Sequence, residues 1–309
     1  MTSSFQRSDG RLISIVPGFR ERVLAERPSN TPRADWTAAR YGEVARKRLA
    51  GARRRWSDLR PFAAPDELRR GLELGCGAGL DCVLAGADGM PSVLGIDRDP
   101  SALATGQRGD DARRLVSEAA REAGYDVSGW ASGLPQGVDI QAMDATALEL
   151  EDSSVDLVWS RTVLEHVVPL QPALDEAARV LRPGGLAHHV IDPFFSLKGC
   201  HARGLTDIPW AHARLAGDEF ARAVRAAESR RRSVVRAEWL RTLNALTLKE
   251  WRLLLLAGEE FDLLLWRAEP LPLAEQLLDE HTDVEPTALP DVTRGDLTCA
   301  SITAVLRRR

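Results

Sequence analysis

The chain has 309 residues, with 41 Lys plus Arg against 45 Asp plus Glu and a formal net charge of -4. Its 44% hydrophobic and 28% charged residues are the composition of a folded globular chain, long enough for one large domain or a main domain with an appended one, which excludes wholesale disorder. The slight acidic balance excludes a surface that is cationic throughout, as a general nucleic-acid binder requires.

Four cysteines, Cys76, Cys82, Cys200 and Cys299, show no repeating C-x-x-C, so neither a disulfide framework nor a cysteine-based zinc site is expected. No apolar run approaches the roughly 20 residues that span a bilayer, and the start MTSSFQRSDG lacks the apolar core of a secretory signal. A cytoplasmic protein with no membrane partner is the expectation, and the sequence sets no oligomeric state.

Residues 1–66 contain no convincing strand, whereas Trp36 to Trp56 carries apolar residues at helical spacing, so a helical N-terminal cap is predicted. Arg53 to Arg55 read as a solvated face of that helix. From residue 70 short apolar runs alternate with helical stretches, the pattern of a parallel sheet with crossover helices. Strands are predicted at Gly71 to Leu74, Ser92 to Ile96, Val138 to Ala142, Val155 to Trp159 and Leu186 to Ile191. Helices are predicted at Pro100 to Ala123, Val163 to Val168 and Pro172 to Leu181. Thr247-x-x-Glu250 is a capping box opening the helix Leu248 to Ala257, with Gly258 after it. Two strands follow, Phe261 to Trp266 and Leu297 to Leu306, the last without a helix and therefore antiparallel. The segment between Pro193 and Leu246 is too long for a plain connection and reads as an insertion over the active face.

The stretch Gly71-Leu-Glu-Leu-Gly-Cys-Gly-Ala-Gly79 feeds an apolar strand into a glycine turn, where backbone can approach a ligand closely. About 20 residues on, Asp97 ends the next strand at the spacing of an acid that binds a ribose diol. The G-x-G-x-G spacing differs from the dinucleotide pattern G-x-G-x-x-G, which sets a helix end against pyrophosphate.

Taken together, ELGCGAG, Gly95-Ile-Asp97, Met143-Asp-Ala145, Val155 to Ser160 with Val163 to Val167, and Val180 to Gly185 resemble, in order, the motifs of class I S-adenosylmethionine-dependent methyltransferases. The resemblance covers residues 67–193 by motif and the C-terminal strands by pattern. It implies an α/β fold: a doubly wound, Rossmann-like, mainly parallel sheet with an antiparallel last strand. It also implies S-adenosylmethionine as cofactor. Gly75, Gly77 and Gly79 would wrap its methionine part, with Glu73 near the amino group. Asp97 would take the ribose hydroxyls, Arg98 would flank the adenine, Asp144 and Ala145 would read its edge, and Ser160 and Arg161 would lie near the reactive methyl.

The acceptor side rests on histidines. His166 follows Glu165 after the fourth strand, His188 and His189 on the fifth read as packing, and the insertion carries His201, Asp207, Trp210 and His212 within a dozen residues. This G-x-H, P-W-x-H arrangement resembles that of some bacterial methyltransferases. His201, His212 and His166 are the candidate catalytic groups. His201, Asp207 and His212 suit a metal by ligand type, but no metal is assigned. Arg230 to Arg232 and Arg236 raise RNA as an acceptor, yet no RNA-recognition motif accompanies them and Trp239 and Trp251 read as helix positions, so a small molecule is favoured over nucleic acid. The expected organisation is a cap at 1–66, a cofactor-binding core at 67–193, a substrate lid at 194–246 and C-terminal elements at 247–309 that complete the core. The expected function is methyl transfer to a small-molecule acceptor, such as a secondary metabolite. The alternatives are an RNA methyltransferase and a protein that binds S-adenosylmethionine without transferring methyl.

Overall fold

The computed structural model describes residues 4–25, 35–128, 134–226, 242–257 and 259–309. In chain order the elements are β1 (Ser4–Gln6), β2 (Leu12–Ser14), α1 (Phe19–Ala25), α2 (Ala38–Leu59), β3 (Arg70–Leu74), α3 (Leu80–Ala87), β4 (Ser92–Asp97), α4 (Gly106–Glu122), β5 (Val138–Ala142), β6 (Val155–Arg161), α5 (Gln171–Val180) and β7 (Leu181–Ile191). They continue with α6 (His201–Gly204), α7 (Ala211–Arg214), α8 (Gly217–Ala226), α9 (Leu248–Ala257), β8 (Phe261–Pro270), α10 (Pro272–Glu280), α11 (Arg294–Thr298) and β9 (Cys299–Arg308). Among the described residues, no helix is long and apolar enough to cross a membrane.

The central sheet has the order β5-β4-β3-β6-β7-β9-β8. β5 to β7 pair in parallel, and β9 runs antiparallel to both β7 and β8, so the expected antiparallel last strand is present. Strand order reverses between β3 and β6, and in an open sheet of this kind the carboxyl ends on either side of that reversal form the ligand crevice. Pleating sends alternate side chains to opposite faces. Leu157 and Trp159 pack with Leu59, Leu68 and Val305, while Leu72, Val158 and Ile302 pack with Leu174, Trp251 and Leu255 on the other side.

The N-terminal helix forms because Tyr41, Val44, Ala45, Leu49 and Ala52 recur at helical spacing and bury against Leu80, Val83, Leu115 and Val116 of α3 and α4. The expectation of no strand before residue 66 is corrected: β1 and β2 pair as a short antiparallel hairpin. Its stability comes from tertiary packing, since a three-residue strand carries little of its own. Ile13, Phe19 and Val23 share one core with Leu197, Ile208, Trp210 and Leu215 of the insertion and with Leu277 and Leu297 near the C-terminus.

Two further expectations change. Val163 to Val168 is only a 3₁₀ turn over Leu164–His166, because Pro169 disfavours helical backbone in the residue before it. The final strand begins at Cys299 rather than Leu297, because Thr293 and Asp296 form a capping box that holds α11 in front of it. Thr247 and Glu250 make the predicted box reciprocally, the Thr247 amide donating to Oε2 at 2.7 Å and the Glu250 amide donating to Oγ1 at 3.2 Å. Gly258, Arg230 to Arg232, Arg236 and Trp239 lie outside the described residues.

Candidate active site

After β3 the chain turns through Gly75, Gly77 and Gly79, all with positive φ (69°, 54° and 73°). A Cβ at Gly75 would lie 2.3 Å from Val163 Cγ2, and one at Gly79 would lie 2.1 Å from Ile140 Cδ1, so both positions are glycine for packing as well as for backbone. At Gly77 nothing lies within 4 Å; this residue faces open space. The Cys76 amide donates to the Ile96 carbonyl at 2.8 Å and the Gly77 amide to Asp97 Oδ2 at 3.1 Å, which ties the turn to the end of β4. Asp97 Oδ1 accepts from the Asp99 amide at 3.0 Å. Each carboxylate oxygen can accept twice, so Asp97 orders the loop and still has acceptor capacity toward a ligand.

These groups open on a cavity of about 930 Å³ whose wall includes Glu73, Gly75, Gly77, Asp97, Arg98, Asp144, Ala145, Arg161 and His166. Arg98 is an exposed rim residue. Asp144 Oδ1 accepts from the Thr146 amide at 2.9 Å and hydroxyl at 2.8 Å, and these bonds hold its carboxyl below the usual range. Of the expected cofactor contacts, Gly79 and Ser160 do not line the cavity; Gly79 packs on Ile140, and Ser160 turns away. Its side chain is buried against β7, where the hydroxyl and His189 Nδ1 share a 2.8 Å hydrogen bond, because the strand's alternation turns it to the sheet face rather than to the strand end.

Beneath the glycine turn lies a buried charge cluster. Asp81 Oδ2 is 3.3 Å from Arg55 Nη1 and 3.2 Å from Arg161 Nε, with Asp81 3% and Arg55 2% exposed. The reading of Arg53 to Arg55 as a solvated face therefore fails at Arg55, which points inward over the Trp159 ring, 4.8 Å from its centroid. Arg48, one turn from Gly51 on the same helix, lines the cavity. Burial alone would raise the Asp81 carboxyl, but the charges of Arg161, Arg55 and Arg48 outweigh it and hold the group below its ordinary value. Glu73 behaves oppositely: burial and the nearby Asp81 charge push it up to about 7, against the opposing effects of the Cys82 thiol, 2.8 Å from Oε2, and of Arg55 and Arg48.

The histidines separate by location. His188 sits 3.2 Å from Asp58 Oδ2 beneath α2. His212 is buried, 2.9 Å from the Ser196 carbonyl and edge-on to Phe194, and burial lowers its pKa to about 4. It does not line the cavity, so its place is in the insertion's core rather than at the chemistry. Asp207 accepts from the Arg20 amide at 3.1 Å, and buried Trp210 donates to the Leu297 carbonyl at 3.1 Å. His201 is instead brought against His166, with ring centroids 5.1 Å apart and planes 26° from parallel. Sequence reasoning missed Asn244, whose amide donates to the Glu165 carbonyl at 2.9 Å and whose Nδ2 donates to the Leu164 carbonyl at 2.7 Å.

Residues 72–188 match a family described as "Methyltransferase domain". The chain is 30% identical over 126 residues, 40% of its length, to an arsenite methyltransferase of Halobacterium salinarum, covering 27% of that protein. It is 30% identical over 166 residues, 53% of its length, to the ubiquinone/menaquinone biosynthesis C-methyltransferase UbiE of Desulfotalea psychrophila, covering 58% of it. The chain thus spans between about a quarter and three fifths of the curated relatives it matches. In fold it superposes on a protein of Galdieria sulphuraria provisionally assigned as a sarcosine dimethylglycine methyltransferase, with a TM-score of 0.50, 14% identity, and coverage of 94% of this chain and 96% of that one. Residues 72–188 thus match a methyltransferase-domain family, in a chain whose mainly parallel sheet has the fold of that Galdieria protein.

Proposed function

We infer that the chain transfers a methyl group from S-adenosylmethionine to a small-molecule acceptor. The observation that carries this reading is one continuous cavity running from Gly77 and Asp97 past Arg161 to His166, at the upper end of the roughly 300–1,000 Å³ usual for small-molecule sites. In this reading Asp97 accepts from the ribose hydroxyls, Asp144 and Ala145 lie at the adenine, and Glu73 meets the amino group. Arg48 and Arg161 face the methionine carboxylate. The sulfonium is already reactive, so the protein's task is to hold the acceptor in line with the carbon–sulfur bond. His166 and His201 activate the acceptor, and the insertion covers it.

Incubation with S-adenosylmethionine and either a metabolite extract or an RNA pool tests the assignment: release of S-adenosylhomocysteine is expected with the extract alone. Calorimetry should show binding of S-adenosylmethionine and its product but not NAD, and preference for NAD would overturn the reading. Asp97→Ala is expected to weaken product binding by about 2 to 4 kcal/mol, roughly 30- to 1,000-fold, because two ribose hydroxyls lose their acceptor in a desolvated site. Unchanged affinity in a variant with native circular dichroism would remove Asp97 from the ribose site.

The raised Glu73 pKa gives a pH dependence with a definite sign. A cationic amino group favours the ionised carboxylate, so cofactor binding expels the proton that Glu73 holds below about pH 7. Affinity should therefore fall as pH drops from 7 toward 5, by up to about tenfold per unit. The expected contrast is a flatter profile for Glu73→Gln; identical slopes would place the titrating group elsewhere.

A further inference from the structure

We propose that Glu165, His166 and His201 bind a divalent cation at the acceptor end of the cavity, and that the acceptor is a small molecule with an ionisable oxygen that ligates this ion. The inference rests on the methyl-transfer reading and names how the acceptor is activated. One carboxylate oxygen and one nitrogen from each imidazole all lie within 4.8 Å of one another. An ion bound at about 2.0 to 2.2 Å from each donor needs them roughly 3 to 4 Å apart, so a small contraction closes the site.

The set is suited to chemistry rather than to a structural ion. Two imidazoles and one carboxylate leave a coordination position open, whereas structural sites are filled by four protein ligands. Its setting is also ordered. Glu165 and His166 share one tight turn, which Asn244 holds through the carbonyls of Glu165, Leu164 and Val167. His201 enters from the other side at φ 51°, a backbone region that costs a non-glycine residue about 1 to 3 kcal/mol and persists where surrounding structure imposes it. His166 lines the cavity, so the ion would face the donor methyl. The metal set suggested by sequence is not assembled, because Asp207 serves α1 and His212 serves the insertion's core.

An acceptor hydroxyl on the ion loses its proton to water at neutral pH, since a bound cation stabilises the oxyanion. The oxygen then attacks the methyl carbon: the O–C bond forms as the C–S bond breaks, its electron pair returns to sulfur, and neutral S-adenosylhomocysteine remains. The methylated oxygen has no proton to lose and is a weaker ligand, which favours its release.

The test uses the full chain, stripped with EDTA, saturated with S-adenosylhomocysteine and titrated with ZnCl2 or MnCl2. The expected result is one ion per chain at micromolar affinity, read by calorimetry for zinc and by loss of the free Mn²⁺ electron-paramagnetic signal for manganese. Glu165→Gln, His166→Ala and His201→Ala should each weaken it by about a hundredfold or more, since loss of a mere outer-shell partner already costs roughly 10- to 100-fold. His281→Ala, at a ring that packs edge-on against Phe19 and belongs neither to the cluster nor to the cavity wall, should bind as the native chain does. Retained product affinity in each variant establishes that it is folded. Absence of stoichiometric binding below about 100 μM, or equal affinity in the Glu165 and His201 variants, overturns the metal site while leaving the methyl-transfer reading intact. A native chain that binds zinc here but no S-adenosylhomocysteine overturns the acceptor assignment instead.

Discussion

Asp81→Ala is expected to lower the unfolding free energy by about 3 to 5 kcal/mol, the range for removing one partner of a buried ion pair. The loss exceeds the strength of either contact because Arg55, only 2% exposed, is left with its charge in a low-dielectric setting without the carboxylate it pairs with at 3.3 Å. Arg161 is 20% exposed and can recover part of its solvation, so Arg55 carries most of the penalty. Asp81→Asn keeps an acceptor but not the charge and should fall between the two. Urea denaturation read by circular dichroism decides it; a midpoint unchanged in Asp81→Ala would mean that the arginines find solvent or another partner. Gly51→Ala separates stability from binding. Its Cβ would meet the Arg161 guanidinium at 2.4 to 2.7 Å, forcing that mobile end to move, while alanine favours the helix by about 1 kcal/mol. Weaker cofactor binding without loss of stability is the expected outcome.

This cluster also shows where sequence reading ended. The strand and glycine turn at Gly71 to Gly79, and Asp97 at the end of β4, are set by local constraints: periodicity two, a turn that only glycine accommodates, and a fixed distance between neighbouring strand ends. They were legible for that reason. Asp81, Arg55 and Arg161 come from three different elements, and nothing in their spacing reveals that the sheet brings them to within 3.3 Å. The one local signal was Arg48, Gly51 and Arg55 on a single face of α2, where a small residue between two arginines leaves room for a third group. The insertion's histidines were found but wrongly grouped. Proximity in sequence suggested His201 with His212, whereas α6 and α7 are separate short helices and the chain between them turns through buried Trp210 at φ 49°. The ring on which His201 stacks lies 35 residues earlier, at His166, a tertiary contact invisible to local pattern.

His166→Ala and His201→Ala are each expected to lower turnover by about 10² to 10⁴-fold while leaving S-adenosylmethionine affinity nearly unchanged. The separation follows from position. In the proposed reading Asp97, Glu73 and the glycine turn serve the cofactor end of the cavity, and His166, which lines it with His201 stacked on the ring, serves the acceptor. His212→Ala should behave differently: removing a buried ring that bonds the Ser196 carbonyl and packs on Phe194 leaves a cavity and an unsatisfied acceptor, and lowers stability by a few kcal/mol with turnover preserved below the melting transition. Adding a chelator resolves what the pair does. Loss of turnover in the native chain with EDTA, restored by zinc or manganese and not restorable in His201→Ala, is the expected pattern for a bound ion. Loss in the variants alone, with the native chain indifferent to EDTA, makes the imidazoles a general base for an acceptor hydroxyl or amine. Full turnover in both variants would move acceptor activation away from this end of the cavity, as an acceptor that is already an anion, such as a carboxylate, requires no base at all.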